Sequence, residues 1–338
     1  MRSVKSDQGN SWSIKDFDYD VPEHSLSFGY SIGGVTLFGF VLLAITGIVM
    51  ALFYSPTVDG AKDSILNFVS DPLGMWLRSF HRWTADVIVF LIILHLSRII
   101  LTGSYMGKRK FNWFFGIALL FLTFAFFFTG TTLKWDQEGY EAFLHMIEAT
   151  ELVPLGGLIA SFLKGALVVM RLFVTHTLIL PLLLLLFLIP HLVLMKLNGL
   201  SPNPNKISTK KVKISKHLNK VFGFSFAIYG FVAFLAAQFP VIVYPGPYSG
   251  VEMTKPPWAF LALYALEDKF GLAALIISPI IVLLGFVILP YIDSKSGPDS
   301  KAHKIVVWSY LCIVGIVIGL IIYVALTPPV QHLDMNMN

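Results

Sequence analysis

The sequence predicts an all-α integral membrane protein with about seven transmembrane helices. Of its 338 residues, 56% are hydrophobic and only 13% are charged, and the mean hydropathy is +0.73. Seven apolar stretches are each about 20 residues long, which is the length a helix needs to cross a bilayer. This composition excludes an ordinary soluble domain. The net charge of +5 comes from lysines between the apolar stretches and does not indicate nucleic-acid binding.

The charges between the spans predict the orientation of the chain. The loops after the second, fourth and sixth spans carry 3, 7 and 3 Lys and Arg residues, against 1, 2 and 2 in the other three. Because positive loops stay in the cytoplasm, the sequence predicts a multi-pass protein of the cell inner (cytoplasmic) membrane. The first 25 residues lack an apolar signal segment, so the first span is expected to direct insertion. The predicted spans lie near 31–53, 79–103, 113–133, 171–196, 221–243, 271–291 and 305–327.

Two spans carry histidines in matched pairs. In the second span, His81 and His95 are fourteen residues apart, which places them on nearly one helix face and about 21 Å apart. In the fourth span, His176 and His191 are fifteen apart. This overshoots the face by about 60°, and we expect bending and local unwinding at the intervening prolines to absorb the difference.

The pairing of all four histidines indicates metal centres. A single histidine in a membrane helix is usually a packed core residue, but ionisable groups at bilayer depth are rare and costly. We therefore expect two haems with both axial positions filled by imidazole. His81 and His176 form the predicted outer pair, and His95 and His191 form the inner pair. The sequence has one cysteine, Cys312, and lacks a CxxCH haem-attachment motif.

Glycines repeat the histidine interval on two other spans. Gly33 and Gly47 are fourteen residues apart on the first span, as are Gly116 and Gly130 on the third. At those depths a glycine lets a flat macrocycle approach the helix backbone. Close helix packing is the alternative explanation. The first four spans are thus predicted to form a dihaem four-helix bundle.

Two long loops are predicted on the outer face. Residues 139–157 have the pattern of an amphipathic helix followed by a Pro-Gly turn, and residues 244–270 are rich in Pro, Gly and aromatic side chains. Together they are expected to cover a pocket for a hydrophobic ring. The predicted domains are a surface segment at 1–30, the haem-binding four-helix domain at 31–200, a cytoplasmic linker at 201–220, and a three-helix domain with the outer loop at 221–338.

Several motifs resemble a known family. RSFHRWTAD, ILHLSRIILTG, LKWDQEGY, RLFVTH and SIGGVTL are similar to cytochrome b, the haem-bearing subunit of cytochrome bc-type quinol oxidoreductases, and most similar to its plastid and cyanobacterial form. Residues 20–200 carry this resemblance strongly. Residues 215–338 resemble the small partner subunit of that form more weakly, which implies that both are fused in one chain.

The resemblance implies a function and a set of partners. It implies an enzyme that oxidises quinol at the outer face and passes electrons through two non-covalent b haems to an inner quinone site. It also implies a dimeric multisubunit complex with a Rieske-type iron–sulfur protein and a c-type cytochrome or equivalent acceptor, embedded in lipid. Arg78 and Arg171, and Arg98 at the inner haem, would pair with haem propionates, since guanidinium groups bind carboxylates bidentately.

Other functions stay open at this point. One alternative is a non-bifurcating dihaem b membrane anchor that passes quinol electrons to another redox subunit. A second is a transporter or assembly scaffold whose histidines bind protons or a metal, which the pairing of all four histidines disfavours. Asp86, an acid inside the second span, is a functional candidate because intramembrane carboxylates are rare, although a hydrogen-bonded structural role is an equal alternative.

Two positions depart from the family pattern. Pro257 stands where relatives carry a glutamate that takes a proton from quinol, and Ser31 stands where the plastid form has a haem-tethering cysteine. A covalent third haem is therefore not expected. We rank Glu252 first as a substitute proton acceptor, because it lies five residues before Pro257 in the same loop, and Glu148 on the opposing outer helix second. Tyr264 matches a family tyrosine beside the quinol.

Overall fold

The chain is almost entirely helical. The computed structural model describes residues 18–201, 210–293 and 300–332, so the first 17 residues of the surface segment predicted at 1–30 lie outside the described residues. The helices are α1 (Phe28–Ala51), α2 (Ala61–Val69), α3 (Pro72–Leu101), α4 (Lys110–Thr132), α5 (Gln137–Glu151), α6 (Gly156–Leu163), α7 (Val168–Val174), α8 (Leu180–Asn198), α9 (Ile214–Gln238), α10 (Leu261–Phe270), α11 (Ala274–Ile292) and α12 (Lys301–Leu326).

The predicted membrane spans are confirmed as helices. Within the described residues, seven helices are long and apolar enough to cross a membrane, counting α7 and α8 with the turn between them as one. Two spans start about seven residues before their predicted positions: the second, predicted from 79, and the fifth, predicted from 221 and observed from Ile214. α3 begins at Pro72 because the Asp71 side chain accepts hydrogen bonds from the N–H groups of Leu73 and Gly74, and proline at the first helical position is preorganised for a helix.

The first four spans pack as two pairs. α1 packs along α3 and α4 packs along α8, whereas α3 and α4 contact each other only slightly. α9 lies against α1 and α3, where the Tyr229 hydroxyl donates to Val35 O (3.1 Å) and the Trp76 indole donates to Ala233 O (3.1 Å). The bundle therefore opens between the α1/α3 pair and the α4/α8 pair.

A π-helical turn interrupts the fourth span at Thr175–Ile179, just before Pro181. A π turn closes its hydrogen bonds between residues five apart rather than four apart, so it holds one more residue than an α turn. It therefore takes up the additional residue in the fifteen-residue interval between His176 and His191. This turn is the local unwinding that the sequence predicts.

Shorter elements close the two ends of the bundle. We call the end that carries α5, α6 and α10 the outer end, following the predicted orientation, and the opposite end the inner end. Near the inner end, Asp20–Pro22 (β1) pairs antiparallel with Lys211–Lys213 (β2). The sequence analysis did not predict this ribbon, which joins the N-terminal segment to the predicted linker.

Candidate functional site

The outer histidines face each other across the bundle with their ring orientations fixed. His81 on α3 and His176 on the π turn are close enough to interact electrostatically. Their Nδ1 atoms lie 2.8 Å from the hydroxyls of Thr46 and Thr129, respectively. Each threonine donates its own proton to a carbonyl oxygen of its helix at 2.8 Å, so each accepts from the imidazole Nδ1–H. Both Nε2 atoms are therefore left as electron-pair donors.

The inner histidines form a second pair. His95 on α3 and His191 on α8 also interact electrostatically, as expected from the fourteen-residue step along α3. His191 Nδ1 donates to Asn112 O at 3.1 Å, which again leaves Nε2 as the electron-pair donor. His95 Nδ1 is buried, and no hydrogen bond reaches it from the part of the chain that the structure describes. The inner pair thus has one hydrogen-bonded Nδ1 atom among the described residues, whereas the outer pair has two.

Each of the four predicted glycines contacts one of these imidazoles. A Cβ added to Gly33, Gly47, Gly116 or Gly130 would lie 3.1, 3.4, 3.3 or 3.1 Å from the Cε1 atom of His95, His81, His191 or His176, respectively. Carbon atoms pack best at about 3.5–4.0 Å. The sequence analysis expected these glycines to admit a macrocycle. In the structure these glycines leave room for the edge of an imidazole ring, so each glycine lies at the depth of the histidine that it contacts.

The residues present fit bis-imidazole haem. Three of the four Nδ1 atoms have defined hydrogen-bond partners, which leaves Nε2 as the electron-pair donor of those rings, and a glycine lies against every ring. Metal-binding histidines in proteins have this kind of support. The sequence analysis missed Thr46 and Thr129. The signal for them is the Thr-Gly dipeptide that each forms with Gly47 or Gly130.

The three predicted propionate partners all lie near helix ends and donate to other groups. Arg78 is 8% exposed. Arg98 stacks its guanidinium 3.9 Å above the centre of the Tyr30 ring and keeps a buried Nε without a hydrogen bond to any described residue. Propionate pairing of all three stays a prediction. Their present acceptors are Val241 O (2.6 Å) and Ile242 O (3.3 Å) for Arg78, Ser201 Oγ for Arg98, and Phe162 O and Lys164 O (3.1 Å) for Arg171.

Acceptors at the start of α5 hold the loop that follows α9. The side chains of Asp136, Gln137 and Glu141 are buried and accept hydrogen bonds from loop backbone N–H groups. A buried carboxylate is stable there because several donors converge on it. The long loop is therefore fixed on α5 in spite of its glycines and prolines. The donors are the backbone N–H groups of Tyr244 (3.0 Å), Tyr248 (2.7 Å), Met253 (2.8 Å) and Thr254 (3.0 Å).

Asp86 anchors the end of the same loop. Its Oδ1 accepts a 2.8 Å hydrogen bond from the Trp258 indole N–H, and its Oδ2 accepts from Arg82 Nε at 3.2 Å. Asp86 thus has the partners that an acid inside a membrane helix requires. It fixes the segment next to Pro257 against α3, which gives this carboxylate a positioning role.

Glu252 lies in a cluster of ionisable side chains at the outer end. Its Oε1 is 3.3 Å from His145 Nε2, and its Oε2 accepts from the His332 backbone N–H at 2.7 Å. Burial opposes the carboxylate charge, but the adjacent His145 ring and the hydrogen bonds from His332 lower the pKa of Glu252 to about 2. A carboxylate with so low a pKa is a weak base near neutral pH. His145 and His332 also engage both carboxylate oxygens of Glu252, and these contacts argue against Glu252 as the lone proton acceptor.

The other two predicted outer-site residues differ in their surroundings. The Tyr264 hydroxyl donates to Val330 O at 2.9 Å and accepts from Val330 N at 2.7 Å, so the segment after α12 holds it in place. Burial raises the pKa of Tyr264 to about 12. Glu148 is partly buried on the last turns of α5, where it interacts electrostatically with Glu267.

Known proteins are similar to this chain in sequence. The family model described as "Cytochrome b/b6/petB" matches residues 17–199. The "Cytochrome bc complex cytochrome b subunit" of Chlorobaculum thiosulfatiphilum is 29% identical over 321 residues, covering 89% of this chain and 74% of its own. "Cytochrome b6" of Gloeobacter violaceus is 38% identical over 189 residues, 54% of this chain and 87% of its own.

A solved structure supports the same fold over most of the length. A chain of "Hyperthermophilic respiratory Complex III" superposes with a TM-score of 0.74 at 23% identity, covering 92% of this chain and 87% of that one. The family model alone matches more than half of the sequence. The chain therefore belongs to the cytochrome b/b6 family.

Proposed function

We propose that this chain oxidises quinol at its outer end and passes one of the two electrons through two b-type haems to a quinone site at its inner end. The observation that carries this proposal is the presence of two imidazole pairs in which each ring packs against a glycine of the neighbouring helix. A b-type haem between the rings of each pair supplies a one-electron carrier when bound. His81 with His176, and His95 with His191, are the residues that would hold it.

The protein contributes position and protection. The fourteen-residue step along α3 separates the two pairs by about 21 Å, which spans most of the bilayer core. Thr46 and Thr129 hold the outer rings in the tautomer that presents Nε2. Arg78 and Arg171, with Arg98 at the inner end, would supply the guanidinium counter-charges that the negative propionates of a haem need.

The outer pocket is proposed to lie between α5, α10 and the loop that joins α9 to α10. Trp258 is fixed on Asp86, and Tyr264 is fixed on the segment after α12, so both walls are preorganised for a planar ring. Of the two ranked proton acceptors, Glu148 becomes the first to test, because Glu252 is engaged by His145 and His332.

Glu148→Gln is expected to slow quinol oxidation by about tenfold or more, the usual range for removing a general base. Glu151→Gln is the matched control, since Glu151 lies on the same helix and forms an exposed ion pair with Lys164. The measurement is the rate of quinol-dependent haem reduction across neutral pH, with the haem spectra checked in both variants. Equal rates of quinol oxidation in the two variants would mean that Glu148 is not the proton acceptor, and that water or a partner subunit accepts the proton.

The proposal includes the membrane and the partners. The loop charges support insertion in the cell inner membrane, and the proposed acceptors of the other electron are a Rieske-type iron–sulfur protein and a c-type cytochrome or its equivalent. Pro257 favours the alternative, a non-bifurcating dihaem anchor, because it removes a carboxylate from the outer pocket.

A bifurcating complex is distinguished from an anchor by electron counting. In gently purified complex with bound partners, each quinol should reduce one haem b equivalent and one equivalent of the high-potential acceptor. Reduction of the haems without the acceptor would support the anchor. Identification of the co-purifying subunits tests the proposed partners in the same preparation.

A further inference from the structure

A cluster of metal-ligand side chains lies outside the haem ligands. Among the described residues, His145, Glu252 and His332 place ligand atoms within 4.8 Å of one another. Glu267 joins them, with its Oε1 3.4 Å from His145 Nε2. Four separate parts of the chain supply these residues: α5, the loop after α9, α10 and the segment after α12. They are distant in sequence, so only the fold reveals the cluster.

The atoms that converge in the cluster are electron-pair donors. His145 Nδ1 lies 2.9 Å from Glu141 O, and because a carbonyl only accepts, Nδ1 carries the proton and the neutral ring presents a lone pair on Nε2. That atom faces carboxylate oxygens of Glu252 and Glu267. Neither His145 Nε2 nor Glu267 Oε1 receives a hydrogen bond from a described residue. Such a set requires a cation at its centre, either a proton on Nε2 or a metal ion.

The distances favour a metal. The separations from Glu252 Oε1 to His145 Nε2 and to His332 Nδ1 are both 3.3 Å, and that from Glu267 Oε1 to His145 Nε2 is 3.4 Å. The His332 contact is within hydrogen-bond range, but a charge-assisted N–H···O bond would bring such atoms to about 2.7–2.9 Å. The edge of a tetrahedron around Zn²⁺ is about 3.3–3.4 Å for metal–ligand distances of about 2.0–2.1 Å.

The surroundings fix the proposed ligands. The Glu252 and Glu267 side chains are 1% and 2% exposed, and two buried carboxylates would be balanced in charge by one divalent cation. Glu252 Oε2 is held by the His332 backbone N–H at 2.7 Å, which turns Oε1 toward the centre. The carbonyl of Glu141 sets the tautomer of His145 in the same way. Supporting contacts of this kind orient metal ligands in proteins.

We propose that His145, Glu252, Glu267 and His332 bind one divalent transition-metal ion of the Zn²⁺ class. Two imidazoles and a carboxylate are an established donor set for that ion, and Glu267 supplies the fourth ligand. The bound ion cross-links α5, the loop after α9, α10 and the segment after α12. The site shares no residue with the haem pairs, so its failure would leave the proposed electron path unaffected.

The test uses the full chain in detergent, stripped with a chelator and titrated with Zn²⁺ alone. Equilibrium dialysis with elemental analysis should give one zinc per chain, and zinc-edge X-ray absorption should show N and O ligands at about 2.0–2.2 Å. His145→Gln and His332→Gln should each weaken binding by at least about tenfold. His217→Gln is the matched control, since His217 lies on α9 with Nδ1 2.8 Å from Ser25 O, and its zinc binding should equal that of the wild type.

A second measurement needs no variant. Zn²⁺ should slow amide hydrogen exchange in residues 327–332 of the wild-type chain, because His332 becomes a ligand, and Mg²⁺ should have no such effect because it prefers oxygen ligands. The proposal is overturned if the wild type takes up no zinc above background. It is also overturned if either His145→Gln or His332→Gln binds zinc with wild-type affinity, or if exchange in residues 327–332 is the same with and without zinc.

Discussion

Gly33→Ala tests how closely the imidazoles are seated on their neighbouring helices. The new Cβ would lie 3.1 Å from His95 Cε1, whereas carbon atoms pack at about 3.5–4.0 Å. The ring would have to move by about 0.4 Å or more. In the free protein the ring can turn away from the methyl group. A haem ligated by His95 and His191 holds the ring in place, so the clash acts on haem affinity.

The magnitude follows from the cost of overpacking. Forcing an additional methyl group into a packed site costs about 1–3 kcal/mol, which corresponds to about 5- to 150-fold weaker binding. The gain in helix propensity from Gly to Ala, about 1 kcal/mol, is the same with and without haem and cancels from the affinity. Gly230→Ala is the matched control, because Gly230 lies inside α9 and a Cβ there would meet no atom within 4 Å.

The assay is haem content per chain under limiting haem, read by the pyridine haemochrome and by redox titration. Gly33→Ala should lose the haem of the His95/His191 pair first and retain the other. Gly230→Ala should keep both. Haem content and potentials that are identical in the two variants would refute the argument that Gly33 makes room for the His95 ring.

Two further predictions concern hydrogen bonds that position the site. Thr129→Val removes the acceptor of His176 Nδ1 and should weaken binding of the outer haem by about 10- to 100-fold, whereas Thr129→Ser should not; equal haem content in the two variants would contradict the assigned tautomer. Trp258→Phe removes the N–H that binds Asp86 and should raise amide exchange in the loop after α9. Trp83→Phe, which loses a hydrogen bond to Phe239 O, should leave the exchange around Trp258 unchanged. Equal protection of the residues around Trp258 in both variants would exclude the anchoring role of Asp86.

The membrane spans were predictable because hydropathy depends on local composition alone. Sequence reasoning placed all seven near their observed bounds, and the interval between His81 and His95 identified one face of α3 without any structure. It missed the start of α3 at Pro72, because the cap lies in a polar stretch that hydropathy does not register. The π turn at His176 was expected only as an unspecified unwinding, since a fifteen-residue interval does not say where the additional residue is placed.

The outer cluster was not predictable from the sequence. Glu252 was ranked as a proton acceptor from its distance along the chain to Pro257, but the carboxylate binds His145 and the segment that carries His332. His332 is 80 residues away from Glu252, and no local pattern brings the two together. Their approach depends on α12 returning to the outer end and packing against α10, which is a tertiary contact.

Haem stoichiometry tests the central claim most directly. Pyridine haemochrome analysis of the purified chain should give two haem b per polypeptide, and His95→Leu should give one while keeping the spectrum of the His81/His176 haem. Absence of haem b, or two haems retained in the His95→Leu variant, would contradict the assignment of the two imidazole pairs.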